Sequence, residues 1–246
     1  MIDFHSHILP NTDDGSTSIE ETINIIKEAK QAGFTKIIST SHYIQGYYEY
    51  DENDRMQLLE KIKKWGQTPA DNTNELNGPE LYLGSEIYIT AEMPELLKEK
   101  KASTINNSKY VLFELPLNTE PLIAKEVVYR LIENGYVPII AHPERYSYVK
   151  ESPEYVKELA EMGTLFQANY GSIIGMYGTK AQKTVKKLLK EDLIQFLGSD
   201  VHRTNQIYPK IPKAMKKLKK ILSEEKLEEL TTTNAQKVLN NQDIVN

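Results

Sequence analysis

Residues 1–15 read MIDFHSHILPNTDDG. A short apolar run closes on His-Ser-His, and Asp-Asp-Gly follows in the same stretch. The chain holds 5 histidines in 246 residues, so a pair at positions 5 and 7 needs a reason. The other three, His42, His142 and His202, close runs of the same kind: IISTSH, PIIAH and FLGSDVH. Each run has the β-branched, apolar make-up of a buried strand.

Working outward, helical patterns separate these runs. In SIEETINIIKEAKQAG, Ser18 is placed as N-cap with Glu21 three residues on. Ile19, Ile23 and Ile26 share one face, and Gly33 stops the helix. Asp54 to Trp65, PELLKEKK, EPLIAKEVVYRLIENG, SPEYVKELAEMG and TKAQKTVKKLLKED read as further helices. Of these, EPLIAKEVVYRLIENG ends at Gly135, and SPEYVKELAEMG is capped by Ser152 and closed by Gly163. The intervening strands are TKIISTSH, LYLGSEIYI, YVLFELP, YVPIIAHPERY, TLFQANYGS and LIQFLGSDVH. Strand-then-helix alternation predicts a parallel sheet with crossover helices. Roughly seven such units before a helical tail predict one α/β domain over 1–246, closed or nearly closed into a barrel. An open, doubly wound sheet is the alternative. The polar segment QTPADNTNELNGPE (67–80) reads as a surface loop. No internal repeat is visible.

The carboxyl ends of parallel barrel strands open on one face, which carries the active site. All five histidines fall at such ends. So do Glu86 in LYLGSE, Glu114 in YVLFE and Asp200 in FLGSD, and Asp14 lies in the first exit loop. A single strand-end histidine is usually a hydrogen-bonded structural residue. Five of five, joined by four carboxylates, read as a ligand set. Imidazole suits Zn, Mn, Fe and Ni, and carboxylate suits harder ions such as Mn and Mg. Nine ligands are too many for one ion and fit two or three, with a carboxylate bridging. His5 and His7 are two apart on a strand and so face the same side. Asp13 reads as a turn former before Gly15.

Composition bounds the function. A net charge of −5 argues against a nucleic-acid binder. With 0 cysteines, neither disulfides nor thiolate chemistry is available. No signal peptide or membrane-length apolar run is present, which predicts a cytoplasmic protein with no membrane insertion. Only 4 of the 30 basic residues are arginine, and two of those, Arg145 in AHPERY and Arg203 in SDVHRT, adjoin candidate ligands. Arginine's planar fork grips phosphate bidentately where lysine does not. Both are candidate oxyanion clamps, with a salt bridge as the plain alternative. A multi-metal site with such arginines points to phosphoester hydrolysis, in which metals ionise a bridging water and neutralise phosphoryl charge. No protein nucleophile is then needed. A thiolate phosphatase requires cysteine, and no Asp-x-Asp closes a strand.

HSHILPNTDDG, TSH (40–42), GSEIY (84–88), FEL (113–115), AHPERY (141–146) and SDVH (199–202) together resemble the polymerase-and-histidinol-phosphatase (PHP) superfamily. Within it they resemble the manganese-dependent tyrosine phosphatases of Gram-positive bacteria that act in capsule and exopolysaccharide synthesis. The motifs keep the family order from residue 1 to about 240. The resemblance implies a distorted (β/α)7 TIM-like barrel and three ions. One would be held by His5, His7, Glu86 and Asp200, a second by Glu86, Glu114 and His142, and a third by Asp14, His42 and His202. It implies manganese, with Fe, Zn or Mg as alternatives, and makes Arg145 the phosphate-binding arginine. The family's second arginine lies a few residues past the last histidine; here Arg203 follows His202 directly. The implied substrate is phosphotyrosine on a tyrosine kinase of polysaccharide synthesis. The alternatives are a small phosphoester such as histidinol phosphate, or a non-catalytic module that binds a phosphorylated partner. Tyr43, Tyr47, Tyr48, Tyr88, Tyr146, Tyr170 and Tyr177 are read as an apolar collar for an aryl leaving group, with loop packing as the alternative.

Overall fold

The computed structural model describes residues 1–65 and 78–244. Residues 66–77, most of the polar segment read as a surface loop, lie outside them. The strands are β1 (Ile2–Ser6), β2 (Lys36–Ser39), β3 (His42–Tyr43), β4 (Glu80–Leu83), β5 (Glu86–Tyr88), β6 (Tyr110–Glu114), β7 (Val137–Ala141), β8 (Leu165–Asn169) and β9 (Phe196–Gly198). The helices are α1 (Ile19–Gln31), α2 (Glu52–Trp65), α3 (Met93–Lys98), α4 (Ala124–Glu133), α5 (Ser147–Glu151), α6 (Glu154–Glu161), α7 (Tyr170–Ile174), α8 (Gly178–Lys190), α9 (Ile211–Leu218), α10 (Glu224–Glu228) and α11 (Asn234–Leu239).

Every strand pairing is parallel, in the orders β1-β2-β4 and β3-β5-β6-β7-β8-β9. The two sheets are halves of one curved wall. TKIISTSH and LYLGSEIYI, each read as one strand, both break in the middle. Their first halves, β2 and β4, pair with each other and join β1 through β2; their second halves, β3 and β5, pair with each other and join β6 through β5. Backbone bonds such as Gly84 N–H to Ser39 O (2.8 Å) run across the breaks. At the far edge, His7 N–H donates to Val201 O and Asp200 N–H to His5 O, both at 2.9 Å, which brings β9 back to β1. The result is a distorted (β/α) barrel of seven staves, two of them broken. The doubly wound alternative does not form.

Inside, Ile2, Phe4, Ile38, Tyr110, Leu112, Ile139, Leu165 and Phe196 make a closed apolar cluster, plugged at the base by Val238 and Leu239 of α11. Ile105 joins this cluster and packs against Gly84 at the break of the third stave. A larger apolar layer joins the outer strand faces to the helices. Helix α1 begins as its sequence dictates: Ser18 accepts from Glu21 N–H at 3.1 Å. Gly33, Gly135 and Gly163 end helical segments at φ of 90°, 81° and 96°, the left-handed region glycine adopts freely. Ser152 does not cap α6, because Pro153 takes the N-cap position and no side chain caps it. No helix of the described residues is long and apolar enough to cross a membrane.

Candidate metal centre

The carboxyl end of the barrel gathers all nine predicted ligands. A register shift between Asp3 and Ser6 lets Phe4 stack on Phe196 in the interior while His5 next door meets β9 and β8. His7 lies one residue past β1, and its Nε2 is 2.9 Å from His5 Nε2. The breaks in the second and third staves place His42 and Glu86 first in β3 and β5. Glu114 ends β6. His142 and Asp200 sit just past β7 and β9 at φ of 32° and 55°. A non-glycine residue pays on the order of 1 kcal/mol or more for that region, so packing enforces both turns.

Glu86 is the focus. It is wholly buried, and neither carboxylate oxygen has a hydrogen-bond donor in proper geometry. His142 Nε2 lies 2.8 Å from Oε1, and His5 Nε2, His7 Nε2 and His42 Nδ1 lie 3.2, 3.3 and 3.2 Å from Oε2. A buried carboxylate without donors is costly unless cations complete it. Two bare oxygens ringed by four imidazoles fit divalent ions with Glu86 as bridge. Four groupings offer ligand atoms mutually within 4.8 Å: His5-His7-Asp200, His5-Glu86-His142, His42-Glu86-Glu114 and His7-Asp14-His42-His202. These differ from the sets the resemblance implies. Glu114 adjoins His42, with Oε1 3.2 Å from Nδ1, rather than His142.

The surrounding bonds orient the rings. His7 Nδ1–H donates to Asp13 Oδ2 (2.8 Å), and His202 Nδ1–H to Asp200 O (3.0 Å). Carboxylates and carbonyls only accept, so both rings turn a basic Nε2 into the cup. His5 Nδ1 faces Gln167 Oε1 at 2.8 Å; Gln167 Nε2 donates to Asn169 Oδ1, and Asn169 Nδ2 donates to Asp200 Oδ2. Asp200 Oδ2 also accepts from Arg145 Nη1 at 2.7 Å, which leaves Oδ1 turned toward His5 and His7. Such outer partners fix ring orientation and ligand basicity. Burial would lower the His5 and His42 pKa, but Glu86 outweighs it, with Asp200 at His5 and Glu114 at His42, raising them to about 9 and about 10. Burial would raise the Asp200 carboxyl; His5, His142 and Arg145 hold it well below the usual range.

Asp13 does more than turn the chain. Oδ1 accepts from Gly15 N–H as a turn former would, but Oδ2 holds both His7 and the His42 backbone N–H (2.8 Å). The Asp-Gly pair hid that role. Gln167 and Asn169 were also missed. Their signal was legible: two polar residues at alternate positions in an otherwise apolar strand end.

Arg145 is at the lip, a quarter exposed, with Tyr177's ring 4.6 Å from its Cζ. Arg203 Nη1 donates to the carbonyls of Asp14 (2.8 Å), Gly15 and His202 (2.7 Å), fastening the first exit loop to the last. The tyrosine collar is smaller than expected. Tyr43, Tyr146 and Tyr170 are buried in the core. Tyr146 there donates to Ala141 O and accepts from Leu115 N–H, bracing β6 against β7. Tyr47, Tyr48, Tyr88 and Tyr177 keep surface access, and Tyr48 lies parallel to the His42 ring.

Fold and site define an α/β barrel with a candidate multinuclear metal centre at the carboxyl ends of its strands. A family model described as "Capsular polysaccharide synthesis, CpsB/CapC" matches residues 1–240. The chain belongs to that family. It is 32% identical over 244 residues to the tyrosine-protein phosphatase YwqE of Bacillus subtilis, covering 99% of this chain and 93% of that one. It is 30% identical over 246 residues to the tyrosine-protein phosphatase CpsB of Streptococcus agalactiae, covering 98% and 99%. Among solved structures, a chain from the crystal structures of YwqE of Bacillus subtilis and CpsB of Streptococcus pneumoniae superposes at TM-score 0.90 and 31% identity. That match covers 100% of this chain and 96% of that one, and those proteins are described as metal-dependent tyrosine phosphatases. A histidinol phosphate phosphatase of Lactococcus lactis shares the fold at TM-score 0.56 and 15% identity, covering 89% and 92%.

Proposed function

We propose that this protein is a metal-dependent protein-tyrosine phosphatase of capsular polysaccharide synthesis. The proposed ligands are His5, His7, Asp14, His42, Glu86, Glu114, His142, Asp200 and His202. The observation that carries this reading is Glu86, with two buried oxygens lacking donors at the centre of four imidazoles. Three ions would be held there, manganese being our assignment. Bound ions would lower the pKa of water toward neutrality and offset phosphoryl charge.

The chain's own residues supply the rest. Arg145, anchored by Asp200 and Tyr177, binds the phosphoryl oxygens at the lip. The Asp200 anchor spares Arg145 the entropy of ordering when substrate arrives. Tyr48 and Tyr177 flank the opening and offer apolar walls to a phenyl ring. A phenol leaves readily, with a pKa of about 10, so no strong general acid is needed. The substrate we assign is phosphotyrosine on a bacterial tyrosine kinase of polysaccharide synthesis, and the place of action we assign to this protein is the cytoplasm.

Hydrolysis of a phosphotyrosine peptide, a phosphoserine peptide and histidinol phosphate, with Mn²⁺ and with chelator, tests this. Chelator-sensitive turnover greatest on phosphotyrosine is expected. Preference for histidinol phosphate, or no turnover by fully loaded protein, overturns it.

A further inference from the structure

Charge is unevenly distributed on this acidic protein. Residues 178–220 carry 12 of the 30 basic residues and 3 of the 35 acidic ones. Nearly all of that charge lies on two helices. Helix α8 carries Lys180, Lys183, Lys186, Lys187 and Lys190 on the side opposite its buried Ala181, Val185, Leu188 and Leu189, and α9 and its exit carry Lys213, Lys216, Lys217, Lys219 and Lys220. Both helices pack on α7, where Gln182 Nε2 of α8 and Lys217 Nζ of α9 donate to the same Ile173 O, at 2.7 and 3.4 Å. On α8, Lys186 follows Gln182 by one turn, and on α9, Lys213 precedes Lys217 by one turn, so lysines neighbour this shared contact on both helices. Carboxylates reach only one margin: Lys187 pairs with Glu154 and Glu191. Among the described residues, Lys180, Lys183, Lys186, Lys213 and Lys216 have no carboxylate within 4.0 Å.

This face is continuous with the mouth of the cup. Tyr177, whose ring covers Arg145 and whose hydroxyl lies 3.4 Å from Asp200 Oδ2, is the residue before α8. Helix α8 thus starts at the lip and runs down the flank for ~20 Å at 1.5 Å per residue. An extended segment of about six residues would match it. We infer that this lysine face is a substrate-docking surface for acidic polypeptide sequence flanking the phosphotyrosine. The inference rests on the proposed phosphatase activity and deepens it. A segment bound at Arg145 can leave the cup past Tyr177, where clustered lysines attract carboxylates and focus encounter.

The test compares two phosphotyrosine peptides, one flanked by a run of Asp and Glu and one by the matching Asn and Gln. Each is assayed at low and high salt with the wild type and with the variant K183Q/K186Q/K213Q/K216Q. At low salt the wild type should prefer the acidic peptide by on the order of tenfold in kcat/KM, carried by KM rather than kcat. Salt and the quadruple substitution should both erase the preference. Turnover of the neutral peptide and of p-nitrophenyl phosphate should stay unchanged in the variant. Equal kcat/KM for both peptides in the wild type at low salt overturns the inference while leaving the phosphatase reading intact. So does a preference that survives the substitutions. So too does a variant that keeps the peptide preference but loses wild-type binding to phosphatidylglycerol vesicles, which would assign the face to an anionic bilayer. No turnover of the neutral peptide by wild type would instead count against the phosphatase reading.

Discussion

At the scale of single residues, Glu86 and Asp13 make the sharpest demands. Glu86 faces histidines from three staves and from the stretch beyond β1, so its loss should free more than one ion. Glu86→Gln is expected to abolish turnover and to lower metal content by more than one ion per chain in elemental analysis after dialysis; loss of a single ion contradicts the bridge. Asp13 acts one layer out. Asp13→Ala leaves His7 free to rotate, and such outer-layer losses weaken metal affinity by roughly 10–100-fold, measurable by Mn²⁺ titration of the stripped protein. Arg145→Lys removes a charge-assisted fork worth about 1.5–3 kcal/mol, or roughly ten- to a hundredfold in kcat/KM. Metal content should not change. If it falls, Arg145 holds Asp200 more than it holds phosphate. The nine candidate ligands could be picked out in the sequence because chemistry restricts which side chains bind ions, and the fold gathers them at one rim. Asp13 was not, since nothing in a linear Asp-Gly pair states that one oxygen will reach two histidines.

At the scale of elements, burial made the strands easy to find and the breaks hard to see. The breaks fall at Thr40-Ser41 and Gly84-Ser85, pairs too short to end an apolar run, and periodicity does not register a strand passing from one partner to another. The breaks are what set His42 and Glu86 at the cup, so the least legible feature of the wall serves the site most directly. The tyrosines misled for a related reason: sequence places Tyr146 and Tyr170 near strand ends but does not say they turn inward. Close packing of β1 on β9 yields a direct test. A Cβ on Gly198 would stand 2.5 Å from His5 Cβ and 3.1 Å from His5 N. Backbone cannot yield as a side-chain tip does. Gly198→Ala should therefore cost about 1–3 kcal/mol by overpacking, a drop of several degrees in Tm by calorimetry. It should weaken metal binding as well, because His5 must shift. A variant with wild-type Tm would mean that β1 and β9 meet less tightly than described.

At the scale of the molecule, site and stability are linked through protons. His5 and His42 have pKa values of about 9 and about 10 in the metal-free protein, above the ordinary 6.5. Both are protonated at neutral pH, and their pairing with the carboxylates contributes stability that is complete below about 6.5. That stability is lost as pH rises through 9 to 10. Ions bind only neutral imidazole, so loading expels those protons. The rise in Tm on adding Mn²⁺ is therefore expected to grow from pH 6.5 to pH 9 in scanning calorimetry. A rise that shrinks over that span contradicts the linkage. Closure of the barrel has one more consequence, for a chain still being made. His5 and His7 leave the ribosome nearly 200 residues ahead of Asp200 and His202. At about 5–20 residues per second, the early histidines wait many seconds for their partners. Until then the proposed ligand set is incomplete and its cup cannot close. Metal held across the whole proposed cup would enter only after His202 is made, and a chain cut short before Asp200 would lack two of the nine candidate ligands.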